Sequence, residues 1–238
     1  MRGRLRDLIA SRGLGGERVE VRARPLSPDE AIGNPGSLEF PLARGEERMV
    51  EAKVLGARGQ AFTGHPWEFS GTLGEVLKLD VSDLRLRAIL VATSNALVRA
   101  LGLADRTVHC RDEDPWRCAE RLAEWVSRLG VERVALIGYQ PAMARSLART
   151  LGGARLRITD MSPRNVGKMV DGVGVEPHSS DGEAVRWADL ALVTSSVVAN
   201  GTLDDLISAP SEKIVLYGVT GASAEALLGF KRWCPLGR

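Results

Sequence analysis

The sequence has few of the residues that mark several common protein classes. Aromatic residues make up only 5% of its 238 residues, so the core must be mostly aliphatic. Its three cysteines are an odd and sparse set, which excludes a disulfide framework. The chain has no run of about 18 apolar residues, so it is not expected to span a membrane. Residues 1–10 alternate Arg with apolar residues and lack the features of a secretory signal, and we expect a cytoplasmic location.

Positive charge is present but is not concentrated in any segment. The 32 Lys and Arg residues are nearly balanced by 30 Asp and Glu, which gives a net charge of +2. The two signs are interleaved along the chain, so no nucleic acid partner is expected. The apolar content of 44% and the charged content of 26% are typical of a folded protein and exclude disorder.

The two halves of the chain have different hydrophobic patterns. The first half predicts a small α+β domain, with strands at 19–23 and 49–55, a meander of strands around the turn signals of residues 31–48, a loop at 59–64 and a long buried helix at 84–101. The second half alternates short apolar strands with helices, which is typical of a parallel α/β sheet. We place the boundary after residue 106, so that the two predicted domains are residues 1–106 and 107–238.

Polar residues follow each clear strand of the second half. Because the carboxyl ends of parallel strands meet at one edge of a sheet, these residues are expected to line a common ligand-binding rim. The candidates are Gly138, Gln140, Asp160, Thr194, Asn200, Thr202 and Thr220. The alternative is that these loops are polar only because they are solvated.

Asp160 ends the second strand of the parallel half, a position from which an acid often binds ribose hydroxyls in dinucleotide-binding folds. The first loop, however, begins at Gly138 and lacks the G-x-G-x-x-G pattern, and Pro141 removes a backbone donor where a pyrophosphate would need one. Ordinary NAD binding is therefore not expected. Another nucleotide-type cofactor, such as S-adenosylmethionine, or a metal-linked ligand is left open, and so is a role of Asp160 as a helix N-cap or turn acid.

His109 and Cys110 are the candidate metal ligands, since imidazole and thiolate bind borderline and soft metals. Adjacent positions are not the usual chelating spacing. Cys118 falls on the apolar stripe of a predicted helix, where a buried structural thiol is the ordinary role. The sequence has no nucleophile elbow, no zinc-protease motif and no P-loop.

An ordered series of short motifs resembles the prokaryotic family described as "putative heavy-metal chelation". The motifs are AIGNP (31–35), GQAFT (59–63), ATSN (92–95), TVHC (107–110), IGYQP (137–141), Asp160, NVG (165–167), NGT (200–202), GVT (218–220) and RWCP (232–235). The resemblance implies an enolase N-terminal-like domain followed by a Rossmann-like domain, with a ligand site in the cleft between them. It also implies that Gln60, Thr63 and Asn95 of the first domain face the strand rim of the second.

Three hypotheses follow. The first is a metal-handling protein that binds a small molecule or a metal complex in the cleft, or an enzyme that makes or modifies a metal chelator, with a divalent or heavy-metal ion as the candidate cofactor. The second is a metal-independent enzyme that uses a nucleotide-type cofactor such as S-adenosylmethionine. A third, less specific hypothesis is a regulatory small-molecule sensor without turnover, and a homodimer is also left open.

Overall fold

The computed structural model describes residues 1–15, 19–206 and 211–238. Its helices are α1 (Arg2–Ser11), α2 (Pro28–Ile32), α3 (Pro41–Arg44), α4 (Leu73–Lys78), α5 (Leu84–Ala100), α6 (Asp114–Leu129), α7 (Pro141–Leu151), α8 (Asp181–Trp187), α9 (Ser196–Asn200), α10 (Leu203–Leu206) and α11 (Ala222–Leu228). Its strands are β1 (Glu20–Leu26), β2 (Arg48–Val54), β3 (Ala57–Thr63), β4 (Phe69–Thr72), β5 (Val134–Ile137), β6 (Leu156–Asp160), β7 (Met169–Val170), β8 (Val173–Pro177), β9 (Leu190–Thr194), β10 (Ile214–Tyr217) and β11 (Lys231–Trp233).

The N-terminal strands form a four-stranded antiparallel sheet in the order β3-β2-β1-β4. Helix α5 lies across β2 and β3. Contact between α5 and β3 is close at Gly59, where a Cβ atom would overlap the backbone of Ala92 and Ala96. Only glycine fits at this point, and the close approach buries the central residues of α5, Ala88 to Val98.

The second sheet has seven strands in the order β11-β10-β9-β5-β6-β8-β7. All of its pairings are parallel except that of β7 with β8. Because β5 lies beside β9 and β6, the carboxyl ends of the central strands meet at one edge. The chain is therefore a mixed α/β protein with an antiparallel sheet followed by a mostly parallel one, as the sequence predicted.

Two hydrophobic clusters cover the two faces of the parallel sheet. One joins that sheet to the antiparallel sheet through α5, and includes Val50, Ile89 and Leu216. The other packs α6 and α7 against the opposite face, and includes Leu122, Leu147 and Leu192. No helix of the described residues is long and apolar enough to cross a membrane.

Several predicted elements are confirmed, and three details of the first half are wrong. The buried helix at 84–101 is α5, and the main strands of the second half are present. Residues 59–64, predicted as a loop, belong mostly to β3, because Gly59 is required there by the approach of α5 rather than by a turn. The meander predicted around residues 31–48 contains the short helix α3. Strand β1 continues through Pro25, beyond the end of β4, where it has only β2 as a neighbour.

Candidate functional site

A cavity of about 470 Å³ lies at the carboxyl ends of β5, β6, β9 and β10. Residues from both sides of the predicted boundary at residue 106 line it: Phe40, Glu47 and Phe62 come from the first half, and Asp160 and Tyr217 from the second. Its walls are largely apolar and aromatic. A cavity of this size and character suits one small organic ligand.

Most of the residues predicted for the strand rim line this cavity. They are Gly138, Gln140, Asp160, Thr194, Asn200 and Thr202, and they are joined there by His109 and Cys110. The geometry therefore places eight of the twelve predicted site residues around one volume. No ligand contact tests their roles, which stay predictions.

Gly138 marks the point where three strands of the parallel sheet converge. Its φ of 90° favours glycine, and a Cβ atom there would lie 2.6 Å from Thr194 Cγ2 and 3.1 Å from Tyr217 Oη. Tyr217 Oη donates a hydrogen bond of 2.6 Å to the Gly138 carbonyl. Burial raises the pKa of Tyr217, so the phenol stays protonated and keeps this bond over the physiological range.

Asp160 organises the loops at the end of β6. Its Oδ2 accepts a hydrogen bond of 2.6 Å from Tyr139 N, and its Oδ1 accepts bonds from Ser162 N at 2.8 Å and Asn165 Nδ2 at 3.1 Å. Both carboxylate oxygens are therefore already engaged by the protein. This arrangement weakens the hypothesis that Asp160 binds a ribose, although the carboxylate still contributes negative charge to the cavity wall.

Four predicted site residues do not line the cavity, because the protein itself engages their side chains, and two of them hold the two sheets together. Asn95 Nδ2 donates to the carbonyls of Gln60, Val219 and Thr220, and Asn95 Oδ1 accepts from Ser223 N. Thr220 Oγ1 accepts from the Phe62 backbone N at 2.9 Å. These contacts give Asn95 and Thr220 a structural role at the junction of the sheets, and the cavity geometry does not support a ligand contact by either.

The other two of these four residues are also engaged by the protein. Gln60 Nε2 donates to Glu51 Oε2 at 2.8 Å, and Gln60 Oε1 accepts from His109 N at 2.8 Å. Thr63 Oγ1 accepts from His65 N at 2.9 Å. Both side chains are buried. Gln60 acts on the cavity indirectly, since it fixes the backbone of the cavity-lining His109.

The His109 imidazole is held as a neutral ring. Its Nδ1 lies 3.1 Å from the Ala31 carbonyl, a contact that requires a proton on Nδ1 and leaves Nε2 as an acceptor. The ring also makes an edge contact with Phe62, with 5.2 Å between centroids. Burial lowers the pKa of His109 to about 4, so it is uncharged at neutral pH.

All three cysteines line the cavity as free thiols, including Cys118 and Cys234. Burial raises the pKa of Cys118 to about 12 and also raises the pKa values of Cys110 and Cys234. Protonated thiols are poor metal ligands. Within the described ranges, no group of three or more His, Cys, Asp or Glu side chains is placed to hold a metal ion. His109 and Cys110 thus lack a preformed third ligand, and the residues present do not fit a protein-held metal ion.

Two cavity-lining acids, Glu47 and Asp181, were not predicted from the sequence. Glu47 lines the cavity but is exposed to solvent. Desolvation by the cavity walls, and next the charge of Asp160, raise the pKa of its carboxyl group. Burial likewise raises the pKa of Asp181.

Asp181 has a buried oxygen without a hydrogen bond. Asp181 Oδ1 and the nearby Thr159 Oγ1 both lack a hydrogen-bond partner. The Thr159 hydroxyl is nevertheless close enough to lower the pKa of Asp181, which offsets part of the increase that burial causes. A buried, unpaired carboxylate oxygen in a cavity wall is a group that a ligand donor can satisfy.

The charge of the cavity has one sign. Three acids line it, Glu47, Asp160 and Asp181, whereas no Lys or Arg of the described residues does. The amino end of α7 adds little for an anion, since Pro141 occupies its first turn and Gln140 Oε1 already accepts from Met143 N. The cavity therefore favours cations and disfavours phosphates or carboxylates.

One of these two acids, Asp181, could have been predicted as a site residue from the sequence. Asp181 follows β8, so including that weak strand in the rim would have brought it into the candidate set. Glu47 lies after Gly45 and Glu46 in the turn before β2, and nothing in that segment distinguishes a cavity acid from a solvated turn acid.

Comparison with known proteins agrees with the sequence resemblance. Residues 122–231 match the model of the DUF364 family, which is described as "putative heavy-metal chelation", and this match confirms the resemblance over that segment. A protein of unknown function from the DUF364 family of Pyrococcus horikoshii is 16% identical, with a TM-score of 0.54, over 93% of this chain and 80% of that chain. A second protein of unknown function from the DUF364 family, from Desulfitobacterium hafniense DCB-2, is 15% identical, with a TM-score of 0.49, over 76% of this chain and 72% of that chain. No curated protein matches the chain.

Proposed function

From the match of residues 122–231 to the heavy-metal chelation family, we propose that this protein handles metal as a cationic complex with a small organic chelator, bound in the cavity. The observation that carries the proposal is the charge of the cavity lining, which has three carboxylates and no Lys or Arg among the described residues. Apolar and aromatic walls would contact the organic part of the complex. The carboxylates would complement its net positive charge.

A preformed complex fits this cavity better than a bare ion does. A bare divalent ion needs several protein ligands at bonding distance, and no such group of three exists in the described part of the chain. When the chelator supplies the ligands, the protein has to provide only shape and charge. His109, with its Nε2 free to accept, is the residue best suited to a single polar contact with such a complex.

The nucleotide hypothesis receives less support from the same residues. It requires Asp160 to bind ribose hydroxyls, and both oxygens of Asp160 already accept hydrogen bonds from the loops around it. The free carboxylates of the cavity would also repel the phosphates of a dinucleotide, but not S-adenosylmethionine, which carries no phosphate.

The proposal can be tested by calorimetric titration with hexaamminecobalt(III), a cationic complex that does not exchange its ligands, and with inorganic phosphate. We expect the cobalt complex to bind the wild type and phosphate not to bind. Asp181→Asn should weaken cobalt binding about tenfold, because it removes one cavity charge. Glu120→Gln, at an exposed position of α6, is the matched control and should leave the affinity unchanged.

Two results would count against a cation-binding cavity. One is binding of phosphate in place of the cobalt complex. The other is cobalt binding that Glu120→Gln weakens as much as Asp181→Asn does, since the complex would then be held by surface charge alone.

A further inference from the structure

The cavity extends along the edge of the parallel sheet, and its two ends lie at different strands. In the sheet order, β10, β9 and β5 lie between β11 and β6. With neighbouring strands about 4.8 Å apart, the carboxyl ends of β11 and β6 are separated by about 19 Å of sheet edge. Trp233, the last residue of β11, and Asp160, the last residue of β6, both line the cavity. The cavity is therefore elongated in the direction that crosses the strands.

The carboxylates of the cavity are gathered at the β6 side. Asp160 ends β6, and Asp181 begins α8, which comes after β8, the neighbour of β6. Glu47 lies at the same side, because the adjacent Glu46 forms an ion pair with Arg164 in the loop after β6. Asp181 also carries a buried oxygen with no hydrogen-bond partner. We call this group of three cavity-lining carboxylates, Glu47, Asp160 and Asp181, the acid end.

Two of the three cysteines are held at the β11 side by its neighbours. Cys234 directly follows β11 in the chain. Cys118 lies on α6, and Trp125 of the same helix stacks on Trp233, with 4.8 Å between the ring centroids. The stack fixes α6 against β11 and so brings the two thiols to the same part of the cavity wall.

Cys110 reaches the same side through the C-terminal segment. Val108 N donates to the Arg238 carbonyl at 2.9 Å, and Arg238 N donates to the Val108 carbonyl at 2.8 Å. We call the group formed by Cys110, Cys118, Trp233 and Cys234 the thiol end. Among the residues that the structure describes, the only Asp, Glu, Lys or Arg side chains that line the cavity are those of the acid end. The thiol end therefore carries no acidic or basic side chain.

The wall between the two ends is mostly apolar. It includes Phe40, Phe62, Ile137 and Met143. Hydrocarbon that lies along this wall is removed from water, which favours binding in proportion to the apolar area that is buried.

We propose that the cavity binds an amphipathic organic cation in one orientation, with its charged head at the acid end and an uncharged tail that runs to the thiol end. This inference rests on the proposed cation-binding function and names the class of its organic part. A cation at the acid end is attracted by carboxylates, whereas at the thiol end it would lose water without gaining a counter-charge. For a metal complex, the metal-bearing part is the head.

The thiol end also limits what the tail can carry. Trp233 Nε1 is a buried donor without a hydrogen-bond partner in the described structure. An uncharged acceptor on the tail, such as an ether or carbonyl oxygen, would satisfy it. A charged group there would have no partner of opposite sign.

The head and the tail can be tested separately by calorimetric titration with three probes below their micelle-forming concentrations. Tetramethylammonium is a head alone, decyltrimethylammonium adds a tail, and decanesulfonate carries the same tail on a negative head. Each buried methylene group tightens binding about fourfold, so burial of only four of them gives a factor of more than about 100. We expect decyltrimethylammonium to bind more tightly than tetramethylammonium by at least that factor, and decanesulfonate not to bind.

Variants at the two ends should act differently. Asp181→Asn should weaken both trimethylammonium probes by the same factor, about tenfold, because it removes charge from the head site alone. Cys234→Ser should weaken only decyltrimethylammonium, about threefold, because it places a more polar group against the tail. Glu120→Gln, at an exposed position of α6, is the matched control and should leave both affinities unchanged.

The orientation can be measured with 10-bromodecyltrimethylammonium, because bromine quenches tryptophan fluorescence only at short range. We expect it to quench more strongly than decyltrimethylammonium does, and Trp233→Phe should remove most of the additional quenching. Phenylalanine keeps an aromatic ring against Trp125, so the fold should be retained. Trp187→Phe, at a tryptophan that does not line the cavity, is the matched control and should keep the quenching.

Failure of this inference and failure of the proposed function give different results. Binding of hexaamminecobalt(III), with decyltrimethylammonium no tighter than tetramethylammonium, would overturn the amphipathic site while leaving a cation site in place. Additional quenching that survives Trp233→Phe, or decanesulfonate that binds as tightly as decyltrimethylammonium, would also overturn it. Absence of binding by hexaamminecobalt(III) and by both trimethylammonium probes would overturn this inference and the proposed function together.

Discussion

Replacement of Asn95 by Ala should destabilise the protein far more than replacement of its neighbour Thr93 on the same helix. Asn95 is fully buried; its two amide N–H groups are shared among three carbonyls, and its Oδ1 accepts one hydrogen bond. They connect α5 to β3 on one side and to the segment from Val219 to Ser223 on the other. Asn95→Ala removes the side-chain acceptor of one backbone N–H and the side-chain donor to three carbonyls at the junction of the two sheets; of these, the Val219 carbonyl keeps its bond from Ala222 N.

The cost can be worked from these contacts. A typical hydrogen bond contributes about 1 kcal/mol net, and a buried donor left without a partner costs about 1–3 kcal/mol. The strongest contact is that of Ser223 N, which donates to Asn95 Oδ1 at 2.7 Å and would lose its only side-chain acceptor. The carbonyl of Val219 is held more weakly, at 3.3 Å. Together these terms give an expected loss of about 3–5 kcal/mol in the free energy of unfolding.

Thr93→Val provides the matched control. Thr93 is as buried as Asn95, but its hydroxyl has no hydrogen-bond partner in the described structure. Removing that hydroxyl while keeping the side-chain shape should leave stability unchanged or raise it by about 1 kcal/mol. Urea unfolding, followed by circular dichroism, measures both variants on one scale. An Asn95→Ala loss of less than about 1 kcal/mol, or a similar loss for Thr93→Val, would refute the assignment of Asn95 as the structural link between the sheets.

Two further predictions concern packing and pH. Gly59→Ala should lower the free energy of unfolding, measured in urea, by about 3 kcal/mol or more, because the new Cβ overlaps the backbone of α5. The same change at Gly3, which has open space around it, should cost little, and equal losses for the two variants would contradict the close approach. His109 has a folded-state pKa lowered from 6.5 to about 4, so the unfolded chain binds the additional proton and stability should rise with pH from about 4 to about 6.5. His109→Gln should flatten this rise in Tm, and a variant that keeps the wild-type slope would show that His109 is not buried in its neutral form.

The elements of the parallel sheet could be predicted because local pattern and tertiary environment agree there. Residues 134–137 are apolar and fully buried in β5, and a short apolar run bounded by Gly138 is what a central parallel strand requires. The antiparallel half was harder to predict. Gly59 looks like a loop residue, yet it lies within β3, because the demand for glycine comes from α5, a segment that begins 25 residues later in the sequence.

The candidate site divides along a similar line. Residues at the ends of parallel strands, such as Gly138 and Thr194, line the cavity because topology alone brings those ends together. Glu47 could not be found this way, since its place in the wall depends on how the antiparallel sheet is oriented against the parallel one. That orientation is set by side-chain contacts between distant segments, which no local pattern encodes.

The polar residues that were expected to touch the ligand serve the cavity in another way. Gln60 Oε1 holds the backbone N of His109, and Thr220 Oγ1 holds the backbone N of Phe62. His109 and Phe62 are in contact with each other and both line the cavity. Asn95 joins the carbonyls of Gln60 and Thr220, so one buried network fixes both residues of this wall from behind. Gln60 and Asn95 therefore help to fix the shape of the cavity, although neither side chain lines it.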